Sequence, residues 1–166
     1  LSEAMARVAA AGLANVQFRQ ADLFDLPYTA GSFDHVFVCF VLEHLARPEA
    51  ALAKLKAVLR PGGSITVIEG DHGSAYFHPD SDAAREAISC LVELQRRSGG
   101  DAMIGRRLYP LLLAAGFDGV QVSPRMVYAD ASRPQLVEGF TRKTFSAMVE
   151  GVRASAIDCV FEVCQV

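Results

Sequence analysis

Five short stretches of this 166-residue chain carry residue types that could do chemistry. Asp22-Leu23-Phe24-Asp25-Leu26-Pro27 sets two carboxylates among apolar side chains. Ser32-Phe33-Asp34 leads into the apolar run Val36–Leu42. Leu42-Glu43-His44-Leu45 closes that run with an acid and an imidazole, and Leu59-Arg60-Pro61-Gly62-Gly63 precedes a second apolar stretch. The last cluster is Glu69, Asp71, His72, Tyr76 and His78, all able to exchange a proton. His72 is the first choice for a general base, with Glu69 beside it, because an unperturbed imidazole titrates near neutrality. Two histidines between residues 71 and 80 also raise the question of a metal ion. No third ligand at metal spacing joins them, so no metal is expected.

These residues need elements to hold them. Residues 1–11 read as the end of an amphipathic helix that Gly12 stops. Val16 and Phe18 alternate with polar neighbours, a short strand at 16–19. Asp22–Gly31 reads as loop. Phe33–Leu42 is the strongest strand signal, and its continuous apolar character predicts burial on both faces. Pro48–Leu59 reads as a helix with Pro at its first position and Leu52, Leu55 and Leu59 on one face. Ser64–Glu69 is the next strand, so strand, helix and strand form a βαβ unit with parallel strands.

Beyond it, Ala83–Arg97 and Gly105–Ala115 are helical patterns, broken by Ser98-Gly99-Gly100 and Gly116. Val120 and Val122 open a further strand that Pro124 confines to an edge or bulge. Ser132 and Gln135 form a capping-box pattern for a helix reaching Val152, with Leu136, Phe140 and Met148 inward. Asp158–Val166 alternates weakly, as a last strand would. No repeat, linker or boundary divides residues 1–166, so one domain is expected.

Taken together, D-x-x-x-L-P, S-F-D, L-x-H-L and L-x-P-G-G, in this order over residues 16–70, resemble the middle of a class I S-adenosylmethionine-dependent methyltransferase of the small-molecule type. The resemblance implies an α/β fold, a Rossmann-like sandwich with a mostly parallel sheet in the order 3-2-1-4-5-7-6. It implies S-adenosylmethionine as cofactor and a small-molecule methyl acceptor. Asp22 matches the acid that accepts from the adenine amino group, and Leu23 the residue that packs on the ring. Val38, Cys39 and Phe40 match the strand end beside the methionine portion. His44 matches the histidine opening the following helix. Such ligands sit beyond the carboxyl ends of the strands. Arg125 and Tyr128 are further positions that could touch an acceptor.

The same family carries a glycine-rich G-x-G-x-G loop and an acidic ribose clamp, and neither stands before residue 60. The expectation is therefore an N-terminally truncated fragment, missing the first two strands and inactive by itself. The exposed sheet edge this leaves would invite oligomerisation. Two other readings stay open: a degenerate, non-catalytic fragment that acts by protein association, and another Rossmann-like enzyme such as a nicotinamide dehydrogenase.

Composition narrows the classes. Half the residues are apolar (51%) and 21% are charged, which excludes wholesale disorder. No apolar run is long enough for a transmembrane helix, and no membrane partner is expected. The net charge of −3 with no basic block gives no nucleic-acid footprint. The four cysteines, Cys39, Cys90, Cys159 and Cys164, form no C-x-x-C pair, which suits a reducing, cytoplasmic protein. Cys39 reads as a small buried apolar residue rather than a nucleophile. Asp22 and His44 have plainer readings too, as a loop residue and a solvated helix residue.

Overall fold

The computed structural model describes residues 1–146. Its elements run α1 (Ser2–Ala10), β1 (Phe33–Cys39), α2 (Pro48–Val58), β2 (Leu59–Ile68), α3 (Asp82–Arg97), α4 (Leu108–Ala114) and α5 (Pro134–Leu136). A wide π-type helix, Val137–Ser146, continues α5. Met148, Val152, the strand expected at Asp158–Val166, Cys159 and Cys164 all lie outside the described residues.

The βαβ unit forms, but with shifted bounds: the helix ends at Val58, and Leu59, expected on its face, opens a strand that starts before Ser64 and ends at Ile68, because Leu59 turns extended. β1 and β2 pair in parallel, with Val36 opposite Ile65, Val38 opposite Val67 and Cys39 opposite Ile68. The register slips between Phe33 and His35, where Leu59 and then Ser64 stand opposite. That slip takes up the Pro61-Gly62-Gly63 turn. Gly62 sits at φ 76°, a left-handed conformation that favours glycine. An added Cβ at Gly63 would lie 2.9 Å from the Arg60 carbonyl oxygen, so the turn is closed to side chains.

α2 starts with Pro48 at its first turn, where a missing N–H costs nothing. Its buried face is Ala51, Leu52, Leu55 and Val58. That face meets Val38 and Leu42 from the first strand and its end, and Ile104, Leu108, Leu111 and Leu112 from the α4 region. Leu42, Leu52 and Ile104 are fully buried. Each such side chain contributes about 1.5–3 kcal/mol on leaving water, which makes this cluster the anchor for the loops at the strand ends.

Several expectations are corrected. Residues 16–19 form no strand, and Val16 and Phe18 are exposed, because no ladder partner stands beside them among the described residues. β1 is not buried on both faces: Val38 is buried, whereas Phe37 is 61% exposed. The strand also ends at Cys39, because Phe40 turns to φ 52° and breaks the extended run.

No strand forms around Val120 and Val122, and Arg125 and Tyr128 lie in exposed irregular chain. The Ser132–Gln135 capping box does not form. The Ser132 hydroxyl donates to Asp130 instead, at 2.5 Å, and Arg133 takes the cap position without a side-chain bond. Leu136 and Phe140 are exposed rather than inward among the described residues. The helix expected at Gly105–Ala115 opens as a tight 3₁₀ turn over Ile104–Arg107 and becomes regular only at Leu108.

Candidate active site

β1 and β2 run parallel, so their carboxyl ends open on the same side of the sheet. The chain leaves β1 through Phe40, whose N–H donates to the Ile68 carbonyl at 2.9 Å. This bond continues the ladder one residue past the strand. The positive φ at Phe40 then swings Val41 away, and Leu42–His44 forms a 3₁₀ turn.

That turn is held by Glu69, just past β2. One carboxylate oxygen accepts from the N–H groups of Val41 (3.1 Å) and Leu42 (2.9 Å), and the other from Glu43 (3.3 Å). The donors at the start of a helical turn have no partner within it, and a carboxylate satisfies them well. Glu69, expected beside His72 as a base, is therefore committed to three backbone donors. These N–H groups are also closed to any other anion while Glu69 stays in place.

Glu43 is the residue whose part in the site sequence reasoning left unassigned. It lies inside the Leu42–Leu45 motif yet is 4% exposed, the buried charged residue among those described. One oxygen lies 3.2 Å from His72 Nε2 and the other 3.4 Å from His44 Nε2. Its backbone carbonyl accepts from the Gln95 side chain at 2.9 Å and the Asp101 N–H at 2.8 Å. The hydrogen bond from His72 is the main cause holding its carboxyl below the ordinary value, against burial, which pushes it up. The charges of both histidines, when they are protonated, add to the lowering. A signal was present in the sequence: an acid inside a motif that ends an apolar run is a candidate for burial, and a buried acid requires partners.

His72 is held from behind. Its N–H donates to the Ala102 carbonyl at 2.9 Å, and the Gly105 N–H donates to the Gly70 carbonyl at 3.0 Å. Asp71 makes a forked pair with Arg106, at 2.7 and 3.1 Å, and accepts from the Ser74 hydroxyl at 2.8 Å. Burial pushes the Asp71 carboxyl up, but the bonds from Arg106 and Ser74 outweigh it and leave it below its ordinary value. Of the remaining base candidates, Tyr76 is 84% exposed.

The expected cofactor residues stand as follows. Asp22 is exposed and uses Oδ1 to accept the Phe24 N–H at 2.8 Å, a tight Asx turn. Leu23 and Phe24 pack partly buried on the cluster that contains Val38 and Leu42. Val38 is buried, Cys39 half-buried and Phe40 exposed at the strand end. His44 is exposed and meets Glu43 at 3.4 Å. The structure thus joins Leu23 and Val38 through one apolar cluster, and joins His44, Glu43 and His72 through one carboxylate.

Residues 1–67 match the family described as a methyltransferase domain. This segment is similar to that family. The α/β arrangement with its parallel strand pair is accordingly the Rossmann-like one expected of class I methyltransferases. Among similar proteins, an uncharacterized 37.1 kDa transposon protein of Streptomyces fradiae is 36% identical over 138 residues, which are 82% of this chain and 39% of that protein. An uncharacterized methyltransferase of Schizosaccharomyces pombe is 42% identical over 65 residues, covering 39% of this chain and 23% of its own length. A ubiquinone/menaquinone biosynthesis C-methyltransferase of Teredinibacter turnerae is 40% identical over 57 residues, 34% of this chain and 23% of that enzyme. The chain therefore spans about two fifths of the first of these relatives and about a quarter of the other two. No helix among the described residues is long and apolar enough to cross a membrane.

Proposed function

We propose that this methyltransferase domain serves methyl transfer from S-adenosylmethionine to a small-molecule acceptor, with His72 as the base that takes the acceptor's proton. The observation that supports it is the buried Glu43 carboxylate at 3.2 Å from His72 Nε2, placed at the carboxyl ends of two parallel strands of this family. A carboxylate can only accept, so the neutral imidazole carries its proton on Nε2 and keeps its lone pair on Nδ1. Glu43 then orients the ring and stabilises the imidazolium that forms when the acceptor's proton arrives.

The residues at the adenine side fit the cofactor by their chemistry. Asp22 has a carboxylate oxygen outside its Asx turn to accept from an amino group, and Leu23 offers an apolar side chain fixed by the core. Val38, Cys39 and Phe40 would flank the methionine portion, with His44 nearby. When bound, the cofactor supplies a methyl group on a positively charged sulfur, already activated for displacement. Placing the acceptor in line and removing its proton is the protein's part. Glu69 acts in this proposal by fixing the turn that carries Glu43 and His44. A reducing, cytoplasmic setting belongs to the same reading.

Ultraviolet cross-linking of tritiated S-adenosylmethionine to the chain tests the proposal. Labelling should be displaced by S-adenosylhomocysteine and lost in Asp22→Ala. Labelling that persists undiminished in that variant, or that the competitor leaves unchanged, contradicts it.

Association through the sheet is the second reading. It is favoured by the exposed apolar side chains Phe37, Phe40 and Ile68 at the two strands and the residue after β1. Sedimentation velocity of wild type and Phe37→Lys separates it: a concentration-dependent dimer abolished by the lysine supports it, and a monomer in both removes it.

A further inference from the structure

A cavity of about 750 Å³ opens between the 72–80 loop and α3, a size that suits a drug-sized molecule. Neither the Asp22–Phe24 turn nor Phe40 lines it, and it meets the site at His72, which lines it while bonding to Glu43. One helix face forms its wall. Arg85, Ile88, Ser89 and Val92 recur at the spacing that brings side chains into one stripe. Ala75, Phe77 and Met103 complete an apolar lining opposite.

The charges around this cavity are all answered by other protein charges. Arg85 pairs with Asp80, itself a lining residue, and with Asp82 at 2.7 Å. Glu93 takes bonds from Arg96 at 2.7 Å and Arg97 at 2.9 Å, and these guanidinium groups hold its carboxyl down at about 2. An anionic ligand would have to compete with two carboxylates for Arg85, and a cationic one with two guanidinium groups for Glu93. A charged ligand entering the apolar stretch would lose water without gaining a partner. The polar lining groups outside those ion pairs include the His72 imidazole and the Tyr76 hydroxyl.

We propose that this cavity holds the methyl acceptor, and that the acceptor is an uncharged molecule with an apolar body and a hydroxyl group directed at His72. The inference rests on the methyl-transfer reading above and adds to it the place and charge class of the acceptor.

The test is an NMR titration of the whole chain with three probes on one scaffold: 4-phenylphenol, biphenyl-4-carboxylate and 4-(aminomethyl)biphenyl. S-adenosylhomocysteine is titrated into the same samples. 4-Phenylphenol should bind saturably and about tenfold or more tighter than either charged probe, a difference of about 1.4 kcal/mol. Ser89→Arg changes an exposed wall position and leaves the core alone, so it should fold and lose this binding. Val92→Phe, which fills the cavity without adding charge, should weaken it in the same direction.

Equal or tighter binding of a charged probe overturns the charge class. Binding of 4-phenylphenol that ignores both substitutions overturns the location. If S-adenosylhomocysteine binds and 4-phenylphenol does not, the cavity assignment falls and the methyl-transfer reading stands. If 4-phenylphenol binds and S-adenosylhomocysteine does not, the methyl-transfer reading falls and takes the acceptor assignment with it.

Discussion

Glu43 and His72 lie 29 residues apart in the chain and meet at 3.2 Å across the carboxyl ends of the two strands. Each is fixed by a different part of the fold: Glu43 by the Glu69-capped turn and by Gln95 and Asp101, His72 by Ala102 and the Asp71–Arg106 fork. The contact therefore reports whether both loops are in place.

The pair gives stability a pH dependence. The folded-state pKa of Glu43 is lowered, so the carboxylate contributes fully above its ordinary value of 4.5. Below that value the unfolded chain takes up the proton first, and the contribution fades as pH falls through the folded pKa. Urea unfolding of wild type and Glu43→Gln should differ most near neutrality. The gap should narrow below about pH 4.5. A gap that is constant with pH would mean that the Glu43 carboxyl is not ionised as described.

Glu69 should behave as a structural cap. Glu69→Ala removes the acceptor of three N–H groups and should cost about 2–3 kcal/mol in urea unfolding, as charge-assisted bonds of this kind do. Glu69→Gln keeps an acceptor oxygen and should recover part of that. If Glu69→Ala leaves the midpoint unchanged, the Leu42–His44 turn is held by something else.

The forked pair between Asp71 and Arg106 is geometric as well as ionic. Arg106→Lys keeps the charge but cannot reproduce the fork. Exchange of the backbone amides of 72–74 should quicken several-fold in Arg106→Lys, while the global midpoint shifts by less than about 1 kcal/mol, because Arg106 is half exposed. Unchanged exchange at His72 would show that the fork does not hold this loop.

Gly105 tests how closely the α4 region must approach β2. A Cβ there would lie 2.7 Å from the Gly70 carbonyl oxygen, backbone against backbone. Gly105→Ala should therefore cost about 1–3 kcal/mol in urea unfolding and shift the His72 ring resonances. A neutral substitution would mean that this approach is loose.

The sequence made the βαβ unit legible because its signals are local. A proline at the first turn of α2, leucines at helical spacing and a Pro-Gly-Gly turn each act within a few residues. The strands expected at 16–19 and from Val120 were legible as patterns but do not form among the described residues, since a strand depends on a hydrogen-bonded neighbour that its own residues do not specify. Likewise Ser132 could cap a helix or bond within its own loop, and Asp130 two residues away decides for the loop. In the candidate site, motif order placed Asp22, Phe40 and His44 at strand ends or loops. The burial of Glu43 and its contact with His72 depend on the packing of two loops, which spacing along the chain does not encode.

The most direct measurement is an amide and histidine side-chain NMR titration of S-adenosylhomocysteine into this chain. Saturable binding is expected. Leu23, Phe40 and His44 should shift with one common saturation curve, and His72 should follow through Glu43. The same shifts should vanish in Asp22→Ala. Shifts absent at every concentration in the folded chain, or confined to residues away from the ends of β1 and β2, would contradict a cofactor site at this place.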